Sequence, residues 1–296
     1  GFKSKFQWIT HSNNLNIFTR NKMSTGAKIQ ELENIANVAR GRIISNSNKT
    51  NTPHLGSCLS CVDILVAIYF DILKIDPSKP QDHERDRFIL SKGHAAAALF
   101  QILAMKGFYS DTLLETYGQD GGIFAEHPPT PDKLPGIEAA TGSLGHGLPI
   151  GLGMAMSSYI KQNKYKVFVL LGDGESNEGS VWEAAMMASA QNIDNIVVII
   201  DFNKWQATDR SIEILGGGSL KEKWQAFGWD AVEIDGNDMT QLISALSKKN
   251  NHGKPKAIIA NTVKGKGISF MEDDNNWHYR IPTMKELIKA KKELKL

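Results

Sequence analysis

Cysteine is nearly absent: the 296 residues hold two, Cys58 and Cys61. A structural zinc site needs four ligands, and no second cysteine pair exists to complete one. The C-x-x-C spacing therefore reads as two small side chains one helical turn apart in an apolar segment, and such usage fits a reduced, cytoplasmic compartment. Long hydrophobic runs are also missing. The longest, residues 167–171 and 196–200, have the length of buried strands and not of membrane spans. Charge of one sign is not in excess, with a formal net charge of +2, so no basic stripe calls for nucleic acid. Acidic residues are wholly absent from residues 1–22, which are rich in Asn, Ser, Lys and Phe and lack helical periodicity. That segment, followed by Met23, reads as a disordered or non-native extension: a cloning remnant, a misplaced start or an organelle transit peptide, the last disfavoured by its low arginine content.

Residues 23–296 read as one folded domain. Hydrophobic residues make up 41% and charged residues 22% of the chain, a globular balance. Ile29, Leu32, Ile35, Val38 and Ile43 fall on one helical stripe. Residues 60–73 predict a second helix. Residues 87–90 predict a short strand leading into Ser91-Lys92-Gly93-His94 and an alanine-rich helix, and residues 145–160 predict another helix. A strand at 167–171, a turn at Gly172-Asp173-Gly174, a helix at 181–191 and a strand at 196–201 make a βαβ unit. Further strands at 231–234 and 257–260 alternate with helices around Trp224, over 239–247 and over 284–294, the last with a capping-box spacing from Thr283 to Glu286. This alternation predicts an α/β fold: a doubly wound, mostly parallel sheet with helices on both faces. Ligands of such sheets bind beyond the carboxyl ends of the strands.

Two turns lie at that edge. Gly172-Asp173-Gly174 follows one strand and, after 28 residues, Asn203 ends its neighbour. Two glycines let the backbone turn sharply and approach a diphosphate. Asp173 offers a carboxylate oxygen, Asn203 an amide oxygen, and a backbone carbonyl just after it a third. Magnesium favours such hard oxygen ligands together with phosphate oxygens. By itself a Gly-Asp-Gly turn is also an ordinary strand-to-helix connection.

The stretch from Gly172-Asp173-Gly174-Glu175-Ser176-Asn177-Glu178-Gly179 to Asp201-Phe202-Asn203-Lys204 resembles the thiamine-diphosphate motif of transketolases. Other family motifs appear in order. Asn51-Thr52-Pro53-His54-Leu55-Gly56-Ser57 resembles the first histidine loop, and Arg87 through Ala95 the second. Glu126-His127-Pro128 resembles the third, and Thr141-Gly142-Ser143-Leu144-Gly145 the glycine-rich loop beside the cofactor. The resemblance runs from about Ala27 to the C-terminus.

The resemblance implies the cofactors thiamine diphosphate and Mg2+. Asp173 and Asn203 would ligate the metal, with the carbonyl of Trp205 as third ligand. Gly142, Leu144, Gly172 and Gly174 would line the cofactor, and Glu178 would face a paired subunit, although a helix-start acid is favoured by the dipole alone. His54, His94, His127 and, on a looser alignment, His278 would line the substrate channel as the catalytic histidines. His146, where many relatives carry glutamine, would stand near the cofactor. Leu55 and residues 204–210 depart from the common family wording, and Gly216-Gly217-Gly218 reads only as a loop.

The family's pyrimidine-binding half has no counterpart in this chain. The resemblance therefore implies the N-terminal subunit of a split transketolase, which transfers a two-carbon ketol unit from a ketose to an aldehyde. Its partner would carry the pyrimidine-binding and C-terminal domains in an α2β2 heterotetramer. The alternatives are a fragment of a longer enzyme, a deoxyxylulose-phosphate synthase-like or 2-oxo-acid dehydrogenase-like subunit, and a non-catalytic cofactor-binding module.

Overall fold

The strand ending at Gly172 is buried along its whole length, which requires both faces of its sheet to be covered. A computed structural model describes residues 24–251 and 253–296. The reading of residues 1–22 lies outside them.

Helix α1 (Thr25–Thr50) is capped by Ser24, whose hydroxyl accepts the amide of Ala27. The helix predicted over residues 60–73 is found as α3 (Val62–Ala67) running into a π-helical turn (Ile68–Ile72), and a separate short helix, α2 (Leu55–Ser60), precedes it. The ladder is interrupted at Cys61. Beside the break the Ser60 hydroxyl is committed to Asp201 across the sheet, 2.6 Å away, a demand that periodicity does not register. Both cysteines are buried. Burial pushes the Cys58 thiol up to about 11 and that of Cys61 higher still, so both stay protonated and inert at neutral pH.

Then come β1 (Arg87–Leu90), α4 (Ala96–Lys106), α5 (Asp111–Leu114), α6 (Gly147–Ile160), β2 (Val167–Gly172), α7 (Gly179–Ala190) and β3 (Ile196–Phe202). After them follow α8 (Ser211–Leu215), α9 (Leu220–Ala226), β4 (Asp230–Asp235), α10 (Met239–Ser247), β5 (Lys256–Asn261) and α11 (Met284–Glu293). All strand pairs are parallel, in the order β1-β2-β3-β5-β4. Val167, Val169, Leu171, Ile196, Val198 and Ile200 pack against α6, α7 and α9. The alternate residues Phe168, Leu170, Val197 and Ile199 pack against α1, α3, α4 and α10. Fully burying each such side chain is worth roughly 1.5–3 kcal/mol, which holds the two helical layers on the sheet. At the edge, β4 exposes Glu233 and Asp235, whose charge discourages pairing with another chain. The capping box at Thr283 and Glu286 is present. Among the described residues no helix is long and apolar enough to cross a membrane.

Candidate functional site

The strand register sets the geometry. Gly172 of β2 pairs with Asp201 of β3, so Asp173 leaves one strand where Asn203 leaves its neighbour. Both side chains are buried. Asp173 accepts hydrogen bonds from the Gly174 amide at 2.9 Å and from the Ser211 hydroxyl at 2.7 Å. Its charge is thus met by neutral donors. Burial, with a smaller contribution from Asp201, pushes its carboxyl up to about 6. A carboxylate held this way has its ionised form restored by a bound cation, so the donor set fits a divalent metal. Asn203 Oδ1 accepts the Trp205 amide at 3.0 Å, because Lys204 between them stands in the left-handed region at φ 71° and folds the chain back.

The same loop is fastened outward. The Trp205 indole N–H donates to Asp273 at 2.8 Å. The guanidinium of Arg210 donates to both Asp273 oxygens, at 2.7 and 2.6 Å, and lies 3.8 Å over the Trp205 ring. Asp273 opens the segment that leads to His278, so these contacts tie the loop after β3 to the loop after β5.

Three of the predicted histidines come together. Ring centroids are 5.0 Å apart for His54 and His278, 5.8 Å for His54 and His94, and 6.0 Å for His94 and His278. The His54 amide donates to the His278 carbonyl at 2.8 Å, and His54 itself stands at φ 71°. His127 lies against the glycine-rich loop: a Cβ on Gly142 would stand 3.0 Å from its ring. A Cβ on Gly93 would stand 2.8 Å from the Gly142 nitrogen, so the second histidine loop and the glycine-rich loop meet backbone to backbone. Burial lowers the pKa of His54, His94 and His278. For His94 the neighbouring Lys92 and histidines add to it; for His278, Lys264, His54 and Lys92 add, reaching about 3. These imidazoles are neutral at physiological pH and can each give and take a proton.

This has a consequence for acid stability. Folded His278 resists protonation down to about pH 3, whereas the unfolded residue titrates near its ordinary 6.5. Its contribution is complete above pH 6.5 and is lost as pH falls from there towards 3. The thermal midpoint is expected to fall less steeply between pH 7 and 4.5 in His278→Asn than in the parent chain. Parallel slopes would remove His278 from the explanation.

Other predicted positions are less enclosed. Glu178 is exposed at the start of α7 beside Gly145. Leu144 is half-buried. His146 is exposed, with Nδ1 3.1 Å from the Leu144 carbonyl, and no ring contact joins it to the histidine cluster among the described residues.

Sequence reasoning missed three buried charged features. Lys264 is 1% exposed; its ammonium donates to Asn275 at 2.5 Å and lies 3.3 Å from His278 Nδ1. Burial and then Lys92 push it down to about 8, against the pull of Asp173 and Asp201. The Lys264-Gly265-Lys266-Gly267 run carries it, but nothing in that run marks which lysine turns inward. Glu175 lies inside the Gly172-to-Gly179 stretch and is 2% exposed. Its carboxylate accepts from the Ser91 hydroxyl, the Gly145 amide at 2.9 Å and the Gly172 amide at 3.1 Å. It thereby ties the ends of β1 and β2 to the glycine-rich loop. Burial raises its pKa.

The third is an ion pair beneath the site, between Lys92 and Asp201, both essentially inaccessible. Lys92 also donates to the Ser57 carbonyl at 3.0 Å, and Asp201 accepts from Ser60 and Thr262. Burial is the largest single influence and opposes the Lys92 charge, but the attraction and hydrogen bond of Asp201 work the other way, and the net shift is above the ordinary lysine value. Asp201→Ala leaves a buried, unpaired ammonium and is expected to cost about 3–5 kcal/mol in urea unfolding. The double change Lys92→Met with Asp201→Leu is expected to recover most of that. A cost below about 1 kcal/mol for the single change would mean that water reaches the pair.

Fold and site together define an open-sheet α/β ligand-binding domain, with its site at the carboxyl edge of parallel strands. The family model for the transketolase thiamine-diphosphate-binding domain matches residues 32–295. The chain is 41% identical over 268 residues to one of the apulose-4-phosphate transketolase subunits of Phocaeicola vulgatus, covering 90% of this chain and 95% of that one. It is 40% identical over 243 residues to the 6-deoxy-6-sulfo-D-fructose transketolase subunit SqwG of a Clostridium species, covering 82% and 88%. Transketolase from Campylobacter jejuni superposes with a TM-score of 0.82 at 29% identity, covering 93% of this chain and 43% of that one. The chain belongs to the transketolase family and forms its thiamine-diphosphate-binding domain. It spans about two fifths of the length of human transketolase, to which it is 36% identical over 252 residues.

Proposed function

We propose that this chain is the diphosphate-binding subunit of a two-component transketolase that moves a two-carbon ketol unit from a ketose to an aldehyde acceptor. The reading rests on one observation: the buried Asp173 and Asn203 share a sheet edge with a cluster of neutral histidines. Asp173, Asn203 and the Trp205 carbonyl hold Mg2+. Gly172 and Gly174 bring backbone to the diphosphate, with Gly142 and Leu144 beside the cofactor and Lys264 balancing its charge. When bound, thiamine diphosphate supplies the electron sink for breaking a carbon–carbon bond beside a ketose carbonyl. The histidines His54, His94, His127 and His278 orient the sugar hydroxyls and hold or pass their protons. Glu178, exposed at the start of α7, faces the paired subunit.

Relatives of similar length are named as one subunit of a transketolase, which supports a partner subunit; in the proposed reading that partner carries the pyrimidine-binding domain in a cytoplasmic α2β2 assembly. Co-purified with such a partner, the chain is expected to retain thiamine diphosphate in Mg2+ and to transfer the two-carbon unit to an aldehyde. Turnover of 2-oxo acids in place of ketoses would overturn the assignment.

A further inference from the structure

Gln206 follows Trp205 in the segment whose wording departs from the family. Its backbone is held by a hydrogen bond from its amide to the Asp209 carbonyl at 2.9 Å. Its side chain turns inward onto the other strand-end loop. A Cβ on Gly174 would stand 3.0 Å from Gln206 Cγ and 3.2 Å from Cδ. Glycine at position 174 therefore makes room for this carboxamide as well as for a close backbone approach. The amide nitrogen is buried and has no hydrogen-bond partner among the described residues. Leaving a buried donor open costs about 1–3 kcal/mol, and native proteins satisfy nearly all such groups.

The neighbouring acceptors are already engaged. Asp173 takes Gly174 and Ser211, and Asn203 Oδ1 takes Trp205. The carboxamide that carries the open donor packs against Gly174, its Oε1 3.4 Å from a Cβ placed there, where the two loops that carry the metal ligands of the proposed function meet; this inference rests on that function. A cation is no partner for an N–H group, whereas an oxygen of the diphosphate that the proposed function places here is one. We propose that Gln206 is a further cofactor-contacting residue, whose carboxamide N–H donates to a diphosphate oxygen of the bound cofactor. It makes the loop after β3 a reader of the phosphate as well as a metal ligand.

The experiment compares Gln206→Leu, close in volume but without a donor, with the parent chain, each assembled with its partner subunit. Calorimetric titration uses thiamine diphosphate and, separately, inorganic pyrophosphate, both with Mg2+. Without ligand, Gln206→Leu removes an unsatisfied donor, so its thermal midpoint is expected to match or exceed the parent's. With ligand, its dissociation constants for both probes are expected to rise by about tenfold to a hundredfold, the range for a hydrogen bond to a charged group. Gln206→Glu, which points a carboxylate at the phosphate, is expected to lose more.

Binding within twofold of the parent would overturn the proposal. So would a fall in the ligand-free midpoint that accompanies the loss of affinity, because that marks a packing role. Asp173→Ala is the benchmark. If it loses binding while Gln206→Leu does not, the Gln206 assignment fails alone. If the parent assembly binds neither probe, the proposed function fails and takes this inference with it.

Discussion

The chain purified alone is expected to show no measurable ketol transfer, at least about a thousandfold below the assembled enzyme, since orientation and water exclusion carry much of such a rate. The physical reason is the one-sidedness of the site. This chain presents oxygen-bearing side chains, glycine-rich backbone and neutral imidazoles along a single sheet edge. Tyr279, next to the histidine cluster, is 66% exposed, so the edge is open on that side. A ring standing out from such an edge is solvated and free to tumble. Adding the partner subunit should restore turnover and saturate at equimolar ratio. Robust activity from the isolated chain would sink the half-site account. Saturation at another ratio would rule out the α2β2 arrangement.

Asp173→Ala is the second large effect. It removes the ionisable member of the proposed metal-ligand set, so the dissociation constant for thiamine diphosphate in Mg2+ is expected to rise by about a hundredfold or more, beyond the tenfold to hundredfold typical of supporting residues. The fold should survive. Burial already opposes the ionised form of this carboxyl, and its protein partners are one hydroxyl and the adjacent amide. The cofactor-free variant is therefore expected to melt no lower than the parent. Equilibrium dialysis with and without chelator checks binding, and calorimetry checks folding. Metal-dependent retention at the parent level would remove Asp173 from the ligand set. A lower cofactor-free midpoint would show a structural role instead.

These predictions start from features that are legible in the sequence, and the reason is local. Val167 to Leu171 and Ile196 to Ile200 are runs too short for helices and too apolar for loops, so their strand character follows from composition. Asp173 and Asn203 sit just past such runs, where period and turn chemistry place them without tertiary information. The capping box at Thr283 is likewise a four-residue pattern. The segment after Leu55 is illegible for the opposite reason. Its hydrophobic stripe runs on through residue 73, while the ladder breaks where Ser60 answers to a partner 141 residues away.

By itself, then, the sequence determined the alternating layers, the order of the loops and the oxygen-bearing side chains at two neighbouring strand ends, because each depends on spacing within a few dozen residues. Only the tertiary structure decided which charges are buried and what they hold. Lys92 and Asp201 lie 109 residues apart, Ser91 and Glu175 84 apart. A lone lysine or glutamate reads as surface. It becomes the floor of a site when distant segments fold over it and remove the water, and no local pattern records that event.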